Sequence, residues 1–290
     1  MASYIAAAVI GLFIIVGAAC LSWRLEWKSL LIFIALASSA VIYTGHAGVI
    51  PVVSMPFILG GVGGLSFKKE KSVEFYLVAT TAILVVLTAG FFYYYFLIEK
   101  MNFFEMQREV IAKSLDEAQV PADLRGQWLE AFDASKYIVP FGIVANSVAL
   151  SAIAYPFIKY VLTRLFGARR PAGIEYFRIN EYFIFAMMSG LAVYLLFDKG
   201  DYELVHFAGL NVLLIAALFY FIQGLAVVKF LLLRRGKPTF IIVLIFVGLL
   251  FFGYIGLWAL LFLSVLLTGL GALDLWADFR KLAKNDGIKS

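Results

Sequence analysis

The chain has 290 residues, of which 63% are hydrophobic and only 15% charged, and its mean hydropathy is +0.94. A soluble domain is about half apolar and about a quarter charged, so this composition excludes a water-soluble protein and indicates one that lies in a lipid bilayer. The single cysteine, Cys20, excludes an intramolecular disulfide, and two histidines leave little scope for a histidine metal cluster. We therefore expect neither a metal nor a cofactor.

Four apolar segments near the N-terminus are each predicted to cross the membrane, because a spanning helix needs roughly 20 mostly apolar residues. They cover residues 4–23, 29–44, 49–67 and 75–98. No basic residue precedes the first segment, so we expect a retained helix rather than a cleaved signal peptide. The third contains Pro51, Pro56 and a cluster of glycines at residues 60–64, which favours a broken or re-entrant helix packed against other protein.

Residues 99–136 differ from the apolar segments on either side because they are polar, charged and helix-favouring. Their apolar side chains recur near helical spacing, and Pro121 follows a break in that pattern. The segment is therefore predicted to form an external amphipathic hairpin of two helices that lies on the membrane surface or caps the bundle.

The remaining apolar segments predict four or five more spans. Residues 137–165, 181–197 and 204–233 each fit one helix. Residues 239–276 are too long for one helix across about 30 Å. They are predicted to form two helices joined by a short hairpin near Gly253 and Gly256, or one span and a surface helix.

The expected fold class is an all-α polytopic transmembrane helical bundle with about nine spans, eight being the alternative. It divides into N-terminal transmembrane helices (1–98), the external hairpin (99–136), C-terminal transmembrane helices (137–277) and a cytoplasmic tail (278–290).

The net charge of +5 follows from loop orientation and needs no nucleic-acid partner. If the N-terminus is outside, most of the 24 Lys and Arg residues fall in segments predicted to be inside, and the short outer loops contain only Lys199. Since basic residues concentrate in short cytoplasmic loops, the sequence predicts a multi-pass protein with its C-terminus in the cytoplasm.

Three regions carry short motifs. They are the stretch from Pro51 to Pro56, the loop-to-helix entry Phe177-Arg178-Ile179-Asn180-Glu181-Tyr182, and a C-terminal set made of Asn211, Tyr220-Phe221-Ile222-Gln223-Gly224-Leu225-Ala226 and Gly271-Ala272-Leu273-Asp274-Leu275-Trp276-Ala277-Asp278-Phe279-Arg280-Lys281. Together they resemble the DUF2232 (YybS-like) family of bacterial membrane proteins. That family is distantly similar to the S components of energy-coupling-factor transporters. The resemblance implies the fold and the bacterial cytoplasmic (inner) membrane but no particular substrate, and the hairpin 99–136 has no counterpart in the compact six-helix S components.

Polar side chains inside predicted spans are candidate ligand contacts, because a polar group at membrane depth is costly. Asn146, Asn211 and Tyr182 are predicted to contribute polar contacts to a bound molecule. Interhelical hydrogen bonds are the alternative for the two asparagines. Gln223, followed by Gly224, is interpreted as a helix-packing contact.

Charged residues mark two further places. Arg178 and Glu181 lie three residues apart at the entry to the sixth span, where a shared helical face would let them pair or dock a cytoplasmic partner. Near the C-terminus, Asp274 and Asp278 lie four residues apart with Arg280 close by, and an ion pair is expected there.

Ala7 and Gly11 have the small-residue spacing that lets helices approach closely. In S components a comparable pattern on the first helix docks the coupling subunit, so the resemblance implies a partner-docking role. Ordinary packing between helices is the alternative.

No catalytic motif is present: the sequence contains no phosphate-binding loop, no His-Glu-x-x-His and no Gly-x-Ser-x-Gly. We therefore expect no enzyme activity. The leading hypothesis is an S-component-like protein that binds, or facilitates transport of, a small or lipid-like molecule. The alternative is a structural or assembly protein that contacts a membrane protein partner or a second copy of itself, with membrane lipids around it in either case.

Overall fold

The computed structural model describes residues 2–44, 50–97, 100, 102–168, 173–238, 240–242, 244 and 253–280. Within these residues all regular structure is helical, which confirms the predicted all-α class. The predicted division of residues 239–276 into two helices falls largely outside the described residues. The number of spans therefore stays a prediction.

The α-helices of the described residues include α1 (Ala2–Leu25), α2 (Ser29–Thr44), α3 (Ile50–Lys68), α4 (Val73–Leu97), α5 (Phe103–Glu117), α6 (Ala122–Ser135), α7 (Val139–Leu165), α8 (Phe183–Leu196), α9 (Glu203–Arg234) and α10 (Gly253–Ala277). Short 3-10 helices at Glu26–Lys28 and Lys136–Ile138 join α1 to α2 and α6 to α7, and a third at Ile174–Tyr176 precedes α8.

Among the residues that the structure describes, five helical runs are long and apolar enough to cross a membrane. They are Ile10–Ser39, Val73–Leu97, Ala122–Leu165, Glu203–Arg234 and Trp258–Ala277, and the shorter apolar helices are Val53–Lys68 and Phe183–Leu196. The protein is therefore a multi-pass helical membrane protein. Its chain divides into two units, Met1–Pro171 and Ala172–Ser290.

Glycines bring α1 and α3 of the first unit into close contact. A Cβ atom on Gly60 would lie 2.7 Å from the Ala18 Cβ, and one on Gly64 would lie 2.9 Å from the Ser22 Cβ. Small residues at four-residue spacing let helix backbones approach in this way. The glycine cluster therefore serves packing, and α3 is one continuous helix with Pro56 inside it rather than a broken one.

Aromatic rings fill the interior where α7 meets α3 and α4. The Tyr155 ring centroid lies 5.3 Å from that of Tyr76 and 5.7 Å from that of Phe67. Ile158 and Leu162, one and two turns further along α7, are fully buried. Packed rings at these distances stabilise the interior beyond the area that they bury.

Helices α5 and α6 form the predicted two-helix hairpin. α5 begins after Asn102, whose side chain accepts a hydrogen bond from the Phe104 amide, 3.1 Å, and α6 begins after Pro121 as expected. The hairpin adjoins α4 through the rings of Phe92 and Phe103, whose centroids are 5.0 Å apart. Two ion pairs join its helices: Arg108 with Asp133, 3.1 Å, and Arg125 with Asp116, 2.7 Å.

In the second unit, α9 packs antiparallel to both α8 and α10. A Cβ on Gly190 of α8 would lie 2.6 Å from the Leu213 amide nitrogen of α9. Gly224 of α9 likewise faces the backbone of α10 at Leu267. Close approach at these glycines is consistent with the many buried residues of α9, which include Gly209, Ala216, Gly224 and Ala226.

Candidate functional site

A buried ion pair stands at the end of α10. Arg280 Nη2 donates to Asp274 Oδ2 at 2.6 Å, and Arg280 Nε donates to the same oxygen at 3.1 Å. The Arg280 side chain is 0% exposed and that of Asp274 is 2% exposed. The predicted ion pair is therefore confirmed between Asp274 and Arg280. Both charges are withdrawn from solvent, so the pair persists only with further hydrogen bonds around it.

The Arg280 guanidinium supplies those further bonds to the segment that precedes α8. Its Nη1 donates to the Glu175 carbonyl at 2.9 Å and to the Phe177 carbonyl at 2.8 Å. The planar guanidinium can therefore hold a carboxylate on one side and two backbone carbonyls on another. Arg280 ties the end of α10 to a segment about a hundred residues earlier in the chain.

Gln223 of α9 completes the connection. Its side-chain oxygen accepts a hydrogen bond from the Ile179 amide at 2.9 Å, and its side-chain nitrogen donates to Asp274 Oδ2 at 3.3 Å. Gln223 is fully buried. Gln223 is therefore a packing contact that acts through hydrogen bonds, because its amide connects α9 both to the segment before α8 and to α10.

Charges balance across this polar cluster, which we define as Glu175, Gln223, Lys229, Asp274 and Arg280. Lys229 Nζ lies 2.8 Å from Glu175 Oε2, so each acid faces a base. The Asp274 Oδ1 atom is buried without a hydrogen-bond partner among the described residues. Among those same residues no three His, Cys, Asp or Glu side chains form a group that could hold a metal ion. The cluster therefore connects α9, the end of α10 and the segment before α8 within the second unit.

The first unit contains an apolar groove of about 350 Å³ between α1, α2 and α3. Its walls are formed mainly by Leu30, Phe33, Ile34, Ala37, Phe57, Ile58, Gly61, Val62 and Leu65, with Ile83 of α4 contributing. The rings of Phe33 and Phe57 stack with their centroids 4.9 Å apart. From Ser29 to Ala37 the groove follows nine residues of α2, whose eight steps of 1.5 Å cover about 12 Å.

The hydroxyl groups that line the groove already have partners. Ser29 donates to the Glu26 carbonyl at 2.6 Å, so Ser22 is the donor in the 2.9 Å contact between the two serine hydroxyls. Ser54 donates to the Ile50 carbonyl. The body of the groove therefore offers an apolar surface.

One end of the groove carries charge. Glu26 lines that end, and its carboxylate lies 2.9 Å from Lys68 Nζ. Both side chains of this pair are partly exposed, so the ions remain accessible to a polar group. The groove is thus apolar along its length and has an acidic and a basic side chain at one end.

The predicted ligand contacts do not lie in this groove. Asn146 belongs to the first unit and is exposed, whereas Asn211 and Tyr182 belong to the second. Asn211 is buried, and its Nδ2 donates to the Phe207 carbonyl of its own helix at 2.7 Å. Tyr182 is 69% exposed. Their contribution to a ligand stays a prediction.

The packing of α8 on α9 separates Tyr182 from Asn211. Phe183, next to Tyr182, packs against Phe219 with ring centroids 5.4 Å apart. Residue 219 lies eight positions, or about 12 Å, along α9 from Asn211. The two residues therefore occupy different levels of the second unit.

The predicted docking residues Arg178 and Glu181 line a shallow surface depression together with Ile179, Asn180 and Leu275. They do not share a helical face, because α8 begins only at Phe183. Asn180 explains this late start: its side-chain oxygen accepts a hydrogen bond from the Tyr182 amide at 3.0 Å and holds the backbone in a turn. Docking through these residues stays a prediction.

The predicted docking residue Gly11 has open space around it: a Cβ there would meet nothing within 4 Å. Ala7 lies in α1, and its side chain is outside the described residues. Their docking role stays a prediction. Close packing of α1 instead uses Ala18, Ala19 and Ser22 against α3.

Comparison with protein families matches residues 2–266 to the family described as "Predicted membrane protein (DUF2232)". The chain belongs to this family. A search of curated proteins and a search of solved structures each find no significant match. Membership confirms the family resemblance, and the similarity to S components stays a prediction.

In this DUF2232 member the matched range ends before the last helix does. Asp274 and Arg280 lie beyond residue 266, whereas Gln223 and the segment around Phe177 lie within the match. The polar cluster therefore joins residues inside the matched range to residues outside it.

Proposed function

We propose that this integral membrane protein binds a lipid-like amphiphile, with its apolar chain in the groove between α1, α2 and α3. The observation that carries the proposal is the apolar lining over about 12 Å, whose hydroxyl groups are already hydrogen-bonded within the protein. A polar vitamin would leave its own polar groups unpaired in such a site, which is costly. An acyl chain has none to satisfy.

The charged end of the groove gives the ligand a direction. A headgroup placed beside Glu26 and Lys68 can interact with both an acid and a base. The apolar chain would then extend along Phe33 and Phe57 towards Ala37. This arrangement favours a single-chain amphiphile with a small polar head.

The proposal includes a membrane and an orientation. We place the protein in the bacterial cytoplasmic membrane with its N-terminus outside and its C-terminus in the cytoplasm, because basic residues favour cytoplasmic loops. On that orientation Glu26 and Lys68 face the cytoplasmic leaflet. The protein acts by binding, and by facilitating the movement of its ligand, without catalysing a reaction.

A pair of alanines on α2 allows a matched test. Ala37 lines the groove, whereas Ala35 is exposed. Ala37→Leu should lower photolabelling by a diazirine-bearing fatty acid about tenfold, since overfilling a packed apolar site costs about 1–3 kcal/mol. Ala35→Leu should leave labelling unchanged. Mass spectrometry of the labelled full chain should place the adducts on peptides that contain Phe33 and Phe57.

Two results would contradict the proposal. One is labelling spread evenly over the lipid-facing helices, which would mean that the groove has no preference over the bilayer. The other is an equal loss of labelling in Ala35→Leu and Ala37→Leu, since only one of them narrows the groove.

The hairpin of α5 and α6 favours a second candidate function, an assembly role through protein contacts. Its ion pairs fix the two helices together, and it exposes the large apolar side chains of Val110, Leu124 and Trp128. Trp128 is 61% exposed. Exposed aromatic residues of this kind are frequent anchors at protein interfaces.

Purification of two tryptophan variants from native membranes separates this candidate from the first. Trp128→Ala should lose a stoichiometric protein partner, while Trp276→Ala, which alters an exposed tryptophan of α10, should retain it. A chain that purifies alone and keeps a fatty acid would favour the groove. Retention of the partner by both variants would contradict a role for the hairpin.

A further inference from the structure

The end of α7 extends beyond the apolar thickness of a membrane. α7 runs from Val139 to Leu165, and its 27 residues span about 40 Å at 1.5 Å per residue. A hydrocarbon core is about 30 Å thick, so some 20 residues suffice to cross it. The last turns, which begin near Lys159, therefore reach the headgroup layer if the start of α7 lies at the opposite boundary.

A cleft of about 710 Å³ lies along these last turns. Lys159 and Thr163 line it on one row of the helix, and Tyr160 and Arg164 line it on the next. Gly167, with a φ of +61°, then turns the chain away from the helix axis. The Ala168 amide donates to the Leu162 carbonyl at 3.3 Å and fixes this turn. The cleft therefore lies where α7 ends in a hydrogen-bonded turn.

Basic side chains line this cleft. None of the described residues that line it is acidic, and two of them, Lys159 and Arg164, are basic. A third cation stands close by, since the Arg24 guanidinium of α1 lies 5.5 Å from the ring of Phe166. Arg24 and Arg164 are both exposed.

The cleft also has an apolar side. Pro156 lines it one turn before Tyr160, whose ring lies 6.0 Å from the Arg164 guanidinium. Tyrosine rings are enriched at the boundary between hydrocarbon and headgroups, and lysine and arginine side chains there extend their charges towards the headgroups.

We propose that this cleft binds the headgroup phosphate of an anionic phospholipid. Arg164 can hold two phosphate oxygens at once, and Lys159 adds a second positive charge. Pro156 and the Tyr160 ring would contact the glycerol and upper acyl region, which a free phosphate ion lacks. The cleft shares no described lining residue with the apolar groove, so this proposal is independent of the proposed ligand of the groove.

The test counts the lipids that the full chain retains. The protein is reconstituted in nanodiscs of equal phosphatidylglycerol and phosphatidylcholine, extracted into mild detergent and weighed by native mass spectrometry. The wild type should retain phosphatidylglycerol up to about 30-fold over phosphatidylcholine, since each of two basic residues near a headgroup contributes about 1 kcal/mol. The double variant Lys159→Gln/Arg164→Gln should lose most of that preference.

A matched control removes the same charge elsewhere in the first unit. Lys69→Gln/Lys71→Gln alters two exposed lysines after α3 and should keep the wild-type preference. Lys159→Arg retains the charge in the cleft and should also keep it, so a loss caused by misfolding alone would be recognised.

Three outcomes would overturn the proposal. The first is equal retention of both lipids by the wild type. The second is a loss of the preference in the control as complete as in the cleft variant, which would show diffuse electrostatic attraction. Displacement of phosphatidylglycerol by millimolar inorganic phosphate would identify free phosphate, rather than lipid, as the ligand.

Discussion

Arg280 donates two hydrogen bonds to one oxygen of Asp274, while both side chains are almost completely buried. Arg280 Nη1 donates to the Glu175 and Phe177 carbonyls, and Gln223 donates to the same Asp274 oxygen. A local ion pair at the end of α10 therefore holds a distant segment of the second unit. The contribution of this ion pair to stability depends on the whole set of hydrogen bonds, because desolvation offsets much of the attraction between the two charges.

Removing one charge of this pair should destabilise the second unit strongly. Arg280→Met leaves the Asp274 carboxylate buried and unpaired, and it takes the donor from two carbonyls, so the free energy of unfolding should fall by about 3–5 kcal/mol. The double variant Asp274→Leu/Arg280→Met should recover part of this loss, since no lone charge remains. Denaturant titration in mixed micelles measures all three proteins.

The exposed pair Arg108–Asp133 supplies the control for that experiment. Each of its side chains is 48% exposed, so Arg108→Met should change the free energy of unfolding by about 0–1 kcal/mol. If Arg280→Met were equally mild, the pair at the end of α10 would be hydrated in the membrane-embedded protein.

The bond from the Ile179 amide to Gln223 predicts a local change in dynamics. Gln223→Met keeps the volume and removes the acceptor, and a buried unsatisfied amide costs about 1–3 kcal/mol. Hydrogen exchange at Ile179 should therefore accelerate roughly 5- to 150-fold, since 1.4 kcal/mol corresponds to a factor of ten. Gln127→Met, on the exposed surface of α6, should leave exchange there unchanged. Unchanged protection in Gln223→Met would mean that packing alone shields the segment.

Two glycine variants of the first unit should differ in their effect on stability. A Cβ on Gly64 would lie 2.9 Å from the Ser22 Cβ, so Gly64→Ala should force α1 and α3 apart and lower stability by about 1–3 kcal/mol. A Cβ on Gly90 would meet nothing within 4 Å, and alanine is the better helix former, so Gly90→Ala should be neutral or stabilising. Thermal unfolding of both variants in detergent decides the matter. Equal melting temperatures would show that α1 and α3 can relax around the added methyl group.

Helix boundaries were largely predictable where apolar segments end at charged or turn-forming residues. The predicted span 29–44 coincides with α2, and Pro121 begins the second helix of the hairpin as expected. The start of α8 was missed by two residues, because the Asn180 side chain satisfies a backbone amide and extends the turn. Hydropathy registers the apolar run that follows but not this local cap.

Spacing along the chain predicted only the local half of the polar cluster. Asp274 and Arg280 lie six residues apart, close enough for an ion pair to be expected. The bonds from Arg280 to the Glu175 and Phe177 carbonyls join positions more than a hundred residues apart. Helical periodicity describes only neighbours along one helix, so it could not predict them. The groove was missed for a similar reason, because it depends on which apolar faces of separate helices fail to meet.

The orientation of the second unit can be tested at the two ends of α9. α9 has 32 residues and so extends about 48 Å, which places its ends on opposite sides of a hydrocarbon core about 30 Å thick. Lys199 lies in the acidic turn before α9, whereas Lys237 follows two arginines after it. The excess of basic residues predicts that the second end is cytoplasmic.

A Cys20→Ser background, which removes the single cysteine, allows each end to be labelled in turn. Lys199→Cys should react with a membrane-impermeant maleimide in intact cells, and Lys237→Cys should react only after permeabilisation, since both positions are exposed in the protein. The reverse pattern would invert the topology. Labelling of both positions in intact cells would mean that α9 does not cross the membrane, in conflict with its length and apolar composition.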